Sequence, residues 1–171
     1  WYDNSLFTID GSSLKLNSSP DFETKSSYSI RVQSTDSYGN TYSEALTLSV
    51  NDINEAPTNY FVSSTSFDEN ISSGSTIATL SGVDEDVDDT HTFNFISSST
   101  YGPDNNKFTI NGNQLKINDS PDYETKSSYR IQFEAIDSSG ATSGAKYIDL
   151  KVNDINEAPT SWNFSTYYFD E

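Results

Sequence analysis

The sequence predicts an all-β fold, a tandem of antiparallel Greek-key β-sandwiches joined end to end. Three observations carry that prediction. Short apolar runs alternate with polar residues at period two, and no convincing run has helical period. The string Val50-Asn-Asp-Ile-Asn-Glu-Ala-Pro-Thr58 returns letter for letter at Val152–Thr160. Turn dipeptides, Asp10-Gly11 and Asn111-Gly112, separate apolar runs at matching places, and such pairs suit the positive φ of tight hairpins.

The elements follow in order. Phe7-Thr-Ile-Asp-Gly11 matches Phe108-Thr-Ile-Asn-Gly112, and Leu14-Lys-Leu-Asn17 matches Leu115-Lys-Ile-Asn118. Ser19–Tyr28 matches Ser120–Tyr129 with one change, Phe22 to Tyr123. Tyr28, Ile30 and Val32 alternate with polar residues, as do Tyr129, Ile131, Phe133 and Ala135, the pattern of half-buried strands. Leu46, Leu48 and Val50, and Ile148, Leu150 and Val152, form a further strand in each unit. Phe67-Asp68-Glu69 returns as Phe169-Asp170-Glu171. About seven short strands in a unit of roughly 100 residues fit a sandwich. The expected phase is residues 1–57 as the C-terminal part of one repeat, 58–159 as a complete repeat, and 160–171 as the first strand of another. The sequence is thus expected to be a segment of a longer array. A partial sandwich leaves an unpaired edge and an open core, so further chain or another molecule is expected to cover residues 1–57, and strand exchange would make a filament.

Composition narrows the function. Net charge is −17, which repels nucleic acid phosphates and anionic membranes and attracts divalent cations. A hydrophobic fraction of 33% with that charge could signal disorder, but 11 Tyr and 10 Phe, regularly spaced in alternating runs, argue for a small folded core. There is no Cys, which excludes disulfides and thiolate chemistry. No apolar run approaches a membrane span, and Trp1-Tyr2-Asp3-Asn4 is not the basic start of a signal peptide. One His, no Cys and no Gly-x-Ser-x-Gly leave little for catalysis, and acids that recur in every unit read as architecture; no enzyme is expected.

The acids fall in groups: Asp68-Glu69-Asn70, Asp84-Glu85-Asp86 with Asp88 and Asp89, Pro121-Asp122-Tyr123-Glu124 with its twin Pro20-Asp21-Phe22-Glu23, the repeated Asp-Ile-Asn-Glu-Ala-Pro, and Asp137 in Ala135-Ile-Asp-Ser-Ser-Gly140. Ca²⁺ takes six to eight oxygens at about 2.3–2.6 Å. Carboxylates and amide oxygens without soft ligands suit such a hard cation, and His91 alone cannot build a zinc site. Scattered acids are usually only a solvated surface; acids in register with turns and a linker are a better case for a site.

Taken together these motifs resemble cadherin repeats, and more closely the cadherin-like repeats of large bacterial surface and adhesin proteins. That family joins immunoglobulin-like sandwiches by an Asp-x-Asn-Asp-Asn-x-Pro linker, with x-Glu-x, Asp-x-Glu, Asp-x-Asp and Ala-x-Asp-x-Gly motifs around it. The linker Asp52-Ile-Asn-Glu-Ala-Pro57 is one residue shorter, with Glu where Asp is usual. The resemblance implies Ca²⁺ ligands Asp21, Glu23, Asp52, Asn54, Glu55, Asp84, Asp86 and Asp137 at one junction, with the Ile53 carbonyl. At the next it implies Glu69, Asp122, Glu124, Asp154, Asn156 and Glu157, and Glu171 at the one after. It further implies a Ca²⁺-rigidified extracellular, cell-surface array, a spacer rod or filament component in adhesion. Its partners would be neighbouring repeats of the same chain and homotypic or filament contacts, with no nucleic acid and no membrane insertion.

A second reading is a Ca²⁺-dependent carbohydrate-binding module of a secreted protein, with surface polysaccharide as partner. Tyr38, Tyr42, Tyr60 and Tyr101 fall near expected loops and are its candidate stacking residues. Asn17, Asn70, Asn118 and Asn163 each open an Asn-x-Ser/Thr triplet, which matters only where the source glycosylates.

Overall fold

A computed structural model describes residues 1–97 and 100–159. The expected strand at 160–171, with Asn163, Phe169 and Glu171, lies outside the described residues. Among the described residues the chain is all-β, apart from single 3-10 turns at Asn4–Leu6 and Asn105–Lys107. It divides into two compact units, Trp1–Ala56 with the loop Asp84–Asp89, and Pro57–Val83 with Thr90 onward.

The second unit is a sandwich of two four-stranded sheets. Its strands are β5 (Asn59–Val62), β6 (Ser66–Asp68), β7 (Thr76–Val83), β8 (Thr92–Phe95), β9 (Phe108–Asn111), β10 (Gln114–Ile117), β11 (Ser128–Ile136) and β12 (Lys146–Asn153). One sheet runs β5-β7-β10-β9 and the other β6-β12-β11-β8. Every pairing is antiparallel except β6 with β12, which is parallel, with Phe67 opposite Val152. The period-two pattern of β11 works as expected: Ile131, Phe133 and Ala135 are fully buried. They meet Leu150 and Val152 of β12, and Leu80, Leu115 and Ile117 from the facing sheet, in one continuous core. Tilted or edge-on ring contacts fix the aromatic part of it, Tyr60 and Phe93 against Phe133 and Phe67 against Phe108 and Tyr129.

The first unit holds two hairpins, β1 (Phe7–Asp10) with β2 (Ser13–Leu16) and β3 (Ser27–Thr35) with β4 (Thr41–Ser49). They correspond by sequence to β9–β10 and β11–β12, and the likeness extends to detail. Phe7 meets Tyr28 edge-on at 5.4 Å, as Phe108 meets Tyr129 at 5.3 Å. The burial differs, however: Leu14 is 41% exposed where its counterpart Leu115 is fully buried. Ile9 and Leu46 are exposed too.

The Gly-containing hairpin turns form as expected, but the roles within the dipeptide differ. Asp10 and Asn111 remain paired strand residues, and Gly11 and Gly112, at φ 62° and 60°, take the left-handed conformation. Glycine carries no Cβ penalty there, which is why it occupies the first position of the turn. Among the described residues no helix is long and apolar enough to cross a membrane.

Candidate metal centre

The site in the second unit is organised by Glu69. It directly follows β6, and its carboxylate is buried, with only 3% of the residue exposed. Oε2 accepts the backbone N–H of Tyr123 at 2.8 Å and Oε1 that of Ile155 at 2.7 Å. Its own N–H donates to the Asn153 carbonyl at 3.2 Å. One carboxylate therefore ties the end of β6 to the Asp122–Glu124 turn and to the segment after β12. Around it, oxygens of Glu69, Glu124, Asp154 and Glu157 lie within 4.8 Å of one another.

The first unit carries a matching group, Glu23, Asp52, Glu55 and Asp86, at the same mutual spacing. Asp86 enters it by accepting the Glu55 backbone N–H at 3.0 Å. In addition, Glu55 Oε2 is buried without a hydrogen-bond partner.

Electrostatics mark both groups as under-compensated. The Glu23 backbone N–H pulls that residue's pKa down, but burial and the charges of Asp52, Asp21 and Asp86 outweigh it and leave the pKa raised. Glu124 behaves alike, its own N–H lowering and then burial, Glu69, Glu157 and Asp154 raising it. Glu55 is raised by burial first and then by Glu23, Asp86, Glu85 and Asp52. Gathered like charges disfavour ionisation in this way unless a cation sits among them. The ion pairs seen among the described residues, such as Lys25–Asp3, Lys126–Asp104 and Arg130–Asp149, involve none of these eight acids.

Other sequence-derived candidates stand apart from the two groups. Asp21 and Asp122 turn both oxygens onto the N–H and hydroxyl of Thr24 and Thr125. Those bonds hold both carboxyls below the usual range, the backbone N–H contributing most. Asp137 is buried and accepts the N–H groups of Ser139 and Ala141, closing its loop as Asp36 does with Tyr38 and Asn40. Asp84 Oδ1 lies 3.4 Å from the Asp86 N–H. Asn54 and Asn156 donate to the carbonyls of Glu55 and Glu157, at 2.8 and 3.4 Å. Ile53 is exposed.

The sequence places Asn70 in the first acid group but assigns it no role at the site. It sits at φ 61° and donates to Glu157 Oε1 at 2.7 Å, so it orients one of the clustered carboxylates. An Asn directly after a Glu that follows a strand is the available signal, since Asn tolerates the left-handed region. The triplets at Asn17 and Asn118 find a structural use: each amide donates to a backbone carbonyl and accepts a Thr hydroxyl, from Thr8 and Thr109.

The carbohydrate reading gains nothing from the tyrosines. Tyr60 is a core residue whose hydroxyl donates to the Phe133 carbonyl at 3.2 Å. Tyr101 stacks on Tyr147, whose ring also carries the Arg130 guanidinium at 4.5 Å. Tyr38 and Tyr42 are exposed in the first unit.

A two-sheet sandwich with grouped acids at the ends of its strands defines the class, a cadherin-type repeat. The chain matches the cadherin domain family over residues 63–153 and belongs to it. That family is one of non-enzymatic repeats used in cell adhesion. In fold the chain is similar to the first two extracellular repeats of human protocadherin-24, with a TM-score of 0.73 and 22% identity over 90% of this chain and 79% of that one. It is also similar to extracellular cadherin domains 3–6 of protocadherin gamma B2, with a TM-score of 0.65 and 20% identity over 91% of this chain and 39% of that one. No curated protein matches the chain.

Proposed function

We propose that both acidic groups hold Ca²⁺, and that the chain serves outside the cell as part of a calcium-stiffened adhesive or spacer array. The observation that carries this reading is Glu55 Oε2, a buried carboxylate oxygen with no partner inside a group of four acids. Leaving such an oxygen unsatisfied is costly, and a hard cation satisfies it. The donor set fits that cation: carboxylates and amides, with neither sulfur nor a second imidazole. Glu23, Asp52, Glu55 and Asp86 would hold the ion in the first unit, and Glu69, Glu124, Asp154 and Glu157 in the second. Asp21, Asp84, Asp122, Asp137, Asn54, Asn156 and the Ile53 carbonyl are proposed as completing ligands.

Bound Ca²⁺ would turn mutual repulsion among the acids into attraction toward a common centre. The segments Asp52–Pro57 and Asp154–Pro159 would then be pinned, which suits a chain that must hold a fixed reach. Partners of the same kind, neighbouring repeats or a second copy, agree with the family. The experiment is a Ca²⁺ titration followed by melting temperature and small-angle scattering. A higher melting temperature and narrower spread of dimensions with Ca²⁺ are expected; identical curves in Ca²⁺ and in EDTA would overturn the reading.

A further inference from the structure

The second unit carries an aromatic pair that belongs neither to its core nor to its acid group. Tyr147 stands on β12 opposite Gln132 of β11, and Tyr101 comes from the turn between β8 and β9. Their rings lie 19° from parallel with centroids 5.8 Å apart, an offset stack. Yet both residues are half open to solvent, Tyr101 at 51% and Tyr147 at 50%. Among the ring contacts of the described residues, this is the one that joins two tyrosines.

Both rings are held in place. The Arg130 guanidinium lies 4.5 Å from the Tyr147 ring centre and is itself fixed by bonds of 2.6 and 2.8 Å to Asp149. The residues after Tyr101 are bonded to β11. The Asp104 N–H donates to the Arg130 carbonyl at 3.1 Å, and Asp104 Oδ2 accepts the Arg130 N–H at 2.7 Å. Asn105 does the same with Gln132, its Oδ1 accepting the N–H at 2.8 Å and its Nδ2 donating to the carbonyl at 3.1 Å. Gly102 packs on that Asn105, where a Cβ would come within 2.7 Å of Nδ2. The turn bearing Tyr101 is thus anchored to the residue opposite Tyr147.

The repeat does not require the pair. The first unit has the same anchor, with Asp3 bonded to Ser29 and Asn4 to Arg31. Opposite Arg31 it has Ala45 in the place of Tyr147, and Ser29 and Thr47 stand where Arg130 and Asp149 do. The chain also has neither Cys nor Met, the side chains that oxidants commonly attack. Exposed phenols are then among its most oxidisable groups, and a radical on either of these two rings has a coupling partner already stacked beside it.

We propose that Tyr101 and Tyr147 form a modification site, joined by oxidation into a dityrosine cross-link within the sandwich. The oxidant is hydrogen peroxide used by a haem peroxidase. One electron leaves each phenol, and each phenolic proton goes to solvent. The two radicals pair their electrons in a new carbon–carbon bond between ring positions ortho to the hydroxyls. The hydrogen on each of those carbons then moves to the oxygen of its own ring, which restores both phenols. The two electrons and two protons reduce one peroxide to two waters. The link ties the turn ahead of β9 to β12 and closes a loop that contains β9, β10 and β11. Closing a loop constrains the unfolded chain, as a disulfide does, and this chain has no disulfide.

Neither ring belongs to the acid groups, so the test is run on the full chain in EDTA, dilute, with a haem peroxidase and equimolar hydrogen peroxide. Dityrosine fluorescence is expected in the monomer band. After trypsin, fragment sequencing is expected to find Tyr147–Lys151 joined at Tyr147 to Tyr101 of the Val32–Lys107 peptide, lighter than their sum by two hydrogens. Tyr101→Phe and Tyr147→Phe keep the rings and are expected to keep the wild-type circular dichroism and melting temperature, while each loses nearly all of the monomer fluorescence. Unfolding in urea before oxidation is expected to lower the yield several-fold, relative to free tyrosine coupled in the same urea. The cross-linked monomer is expected to melt higher than the untreated one. Monomer fluorescence that survives either Phe variant, links confined to pairs of molecules, or a relative yield unchanged by urea overturns the proposal.

Discussion

At the scale of single residues, two kinds of acid share this chain, and their pKa shifts have opposite sign. Asp21 and Asp122 are held low by Thr24 and Thr125, so their contribution to stability is present above the ordinary aspartate value of 3.8 and is lost as pH falls through their lowered pKa. Glu23, Glu55 and Glu124 are raised above 4.5, so the folded state favours their protonated form. Their contribution is fully present below 4.5 and is lost as pH rises through the raised values. Without divalent cation, the melting temperature is expected to fall as pH climbs from about 4.5 past those values. Added Ca²⁺ is expected to abolish that fall, and differential scanning calorimetry across pH checks both. Glu124→Gln removes one of the repelling charges while keeping the shape. It is expected to raise the metal-free melting temperature near neutral pH and to weaken Ca²⁺ binding by about tenfold, through loss of ligand charge; calorimetric titration reads the second effect.

The membership of the acid groups was largely legible, because Glu69, Glu124, Asp154 and Glu157 each stand in a repeated or recognisable motif. The hydrogen bonds that Asp122 accepts from Thr125 were not read from the Asp-x-Glu motif, although a three-residue spacing to a Thr is that of a side chain that caps a turn. The burial of Glu69 was equally hidden, since it depends on N–H groups from Tyr123 and Ile155, far off in sequence.

At the scale of elements, alternation placed the strands well and their partners poorly. β11 announces itself through Ile131, Phe133 and Ala135, each on the inner face. Nothing in Ser66–Asp68 announces that so short a run pairs parallel to β12 while neighbouring β5 joins the other sheet. That split is decided by the packing of Tyr60 and Phe67 into one core, a tertiary effect beyond local pattern. The two units also make a natural comparison of burial. Phe133→Ala in β11 is expected to cost about 3–5 kcal/mol, the usual range for a large aromatic lost from a closed core. Val32→Ala, at the equivalent place on the open face of β3, is expected to cost clearly less. Urea denaturation followed by tryptophan-independent circular dichroism compares them.

At the scale of the whole molecule, the repeated Asp-Ile-Asn-Glu-Ala-Pro fixes where the chain is vulnerable. Glu55 and Glu157 lie in these segments, each within an acid group that a cation would hold together. Endoproteinase that cuts after glutamate is expected to cleave first at Glu55 and Glu157 in EDTA, and to be slowed at least several-fold there by Ca²⁺. Mass spectrometry of the early fragments identifies the sites; cleavage that ignores Ca²⁺ would count against a cation at either place.

The parallel pairing of β6 with β12 has a consequence for load. β6 lies near the start of the sandwich and β12 at its end, and the two run in the same direction, joined by bonds such as Lys151 N–H to Thr65 O and Glu69 N–H to Asn153 O. A tension applied through the ends of the sandwich drags these strands lengthwise past each other. The bonds between them are then strained together instead of peeling one after another. The pair acts as a clasp in shear, and it guards the core against pulling more effectively than its three residue pairs would suggest.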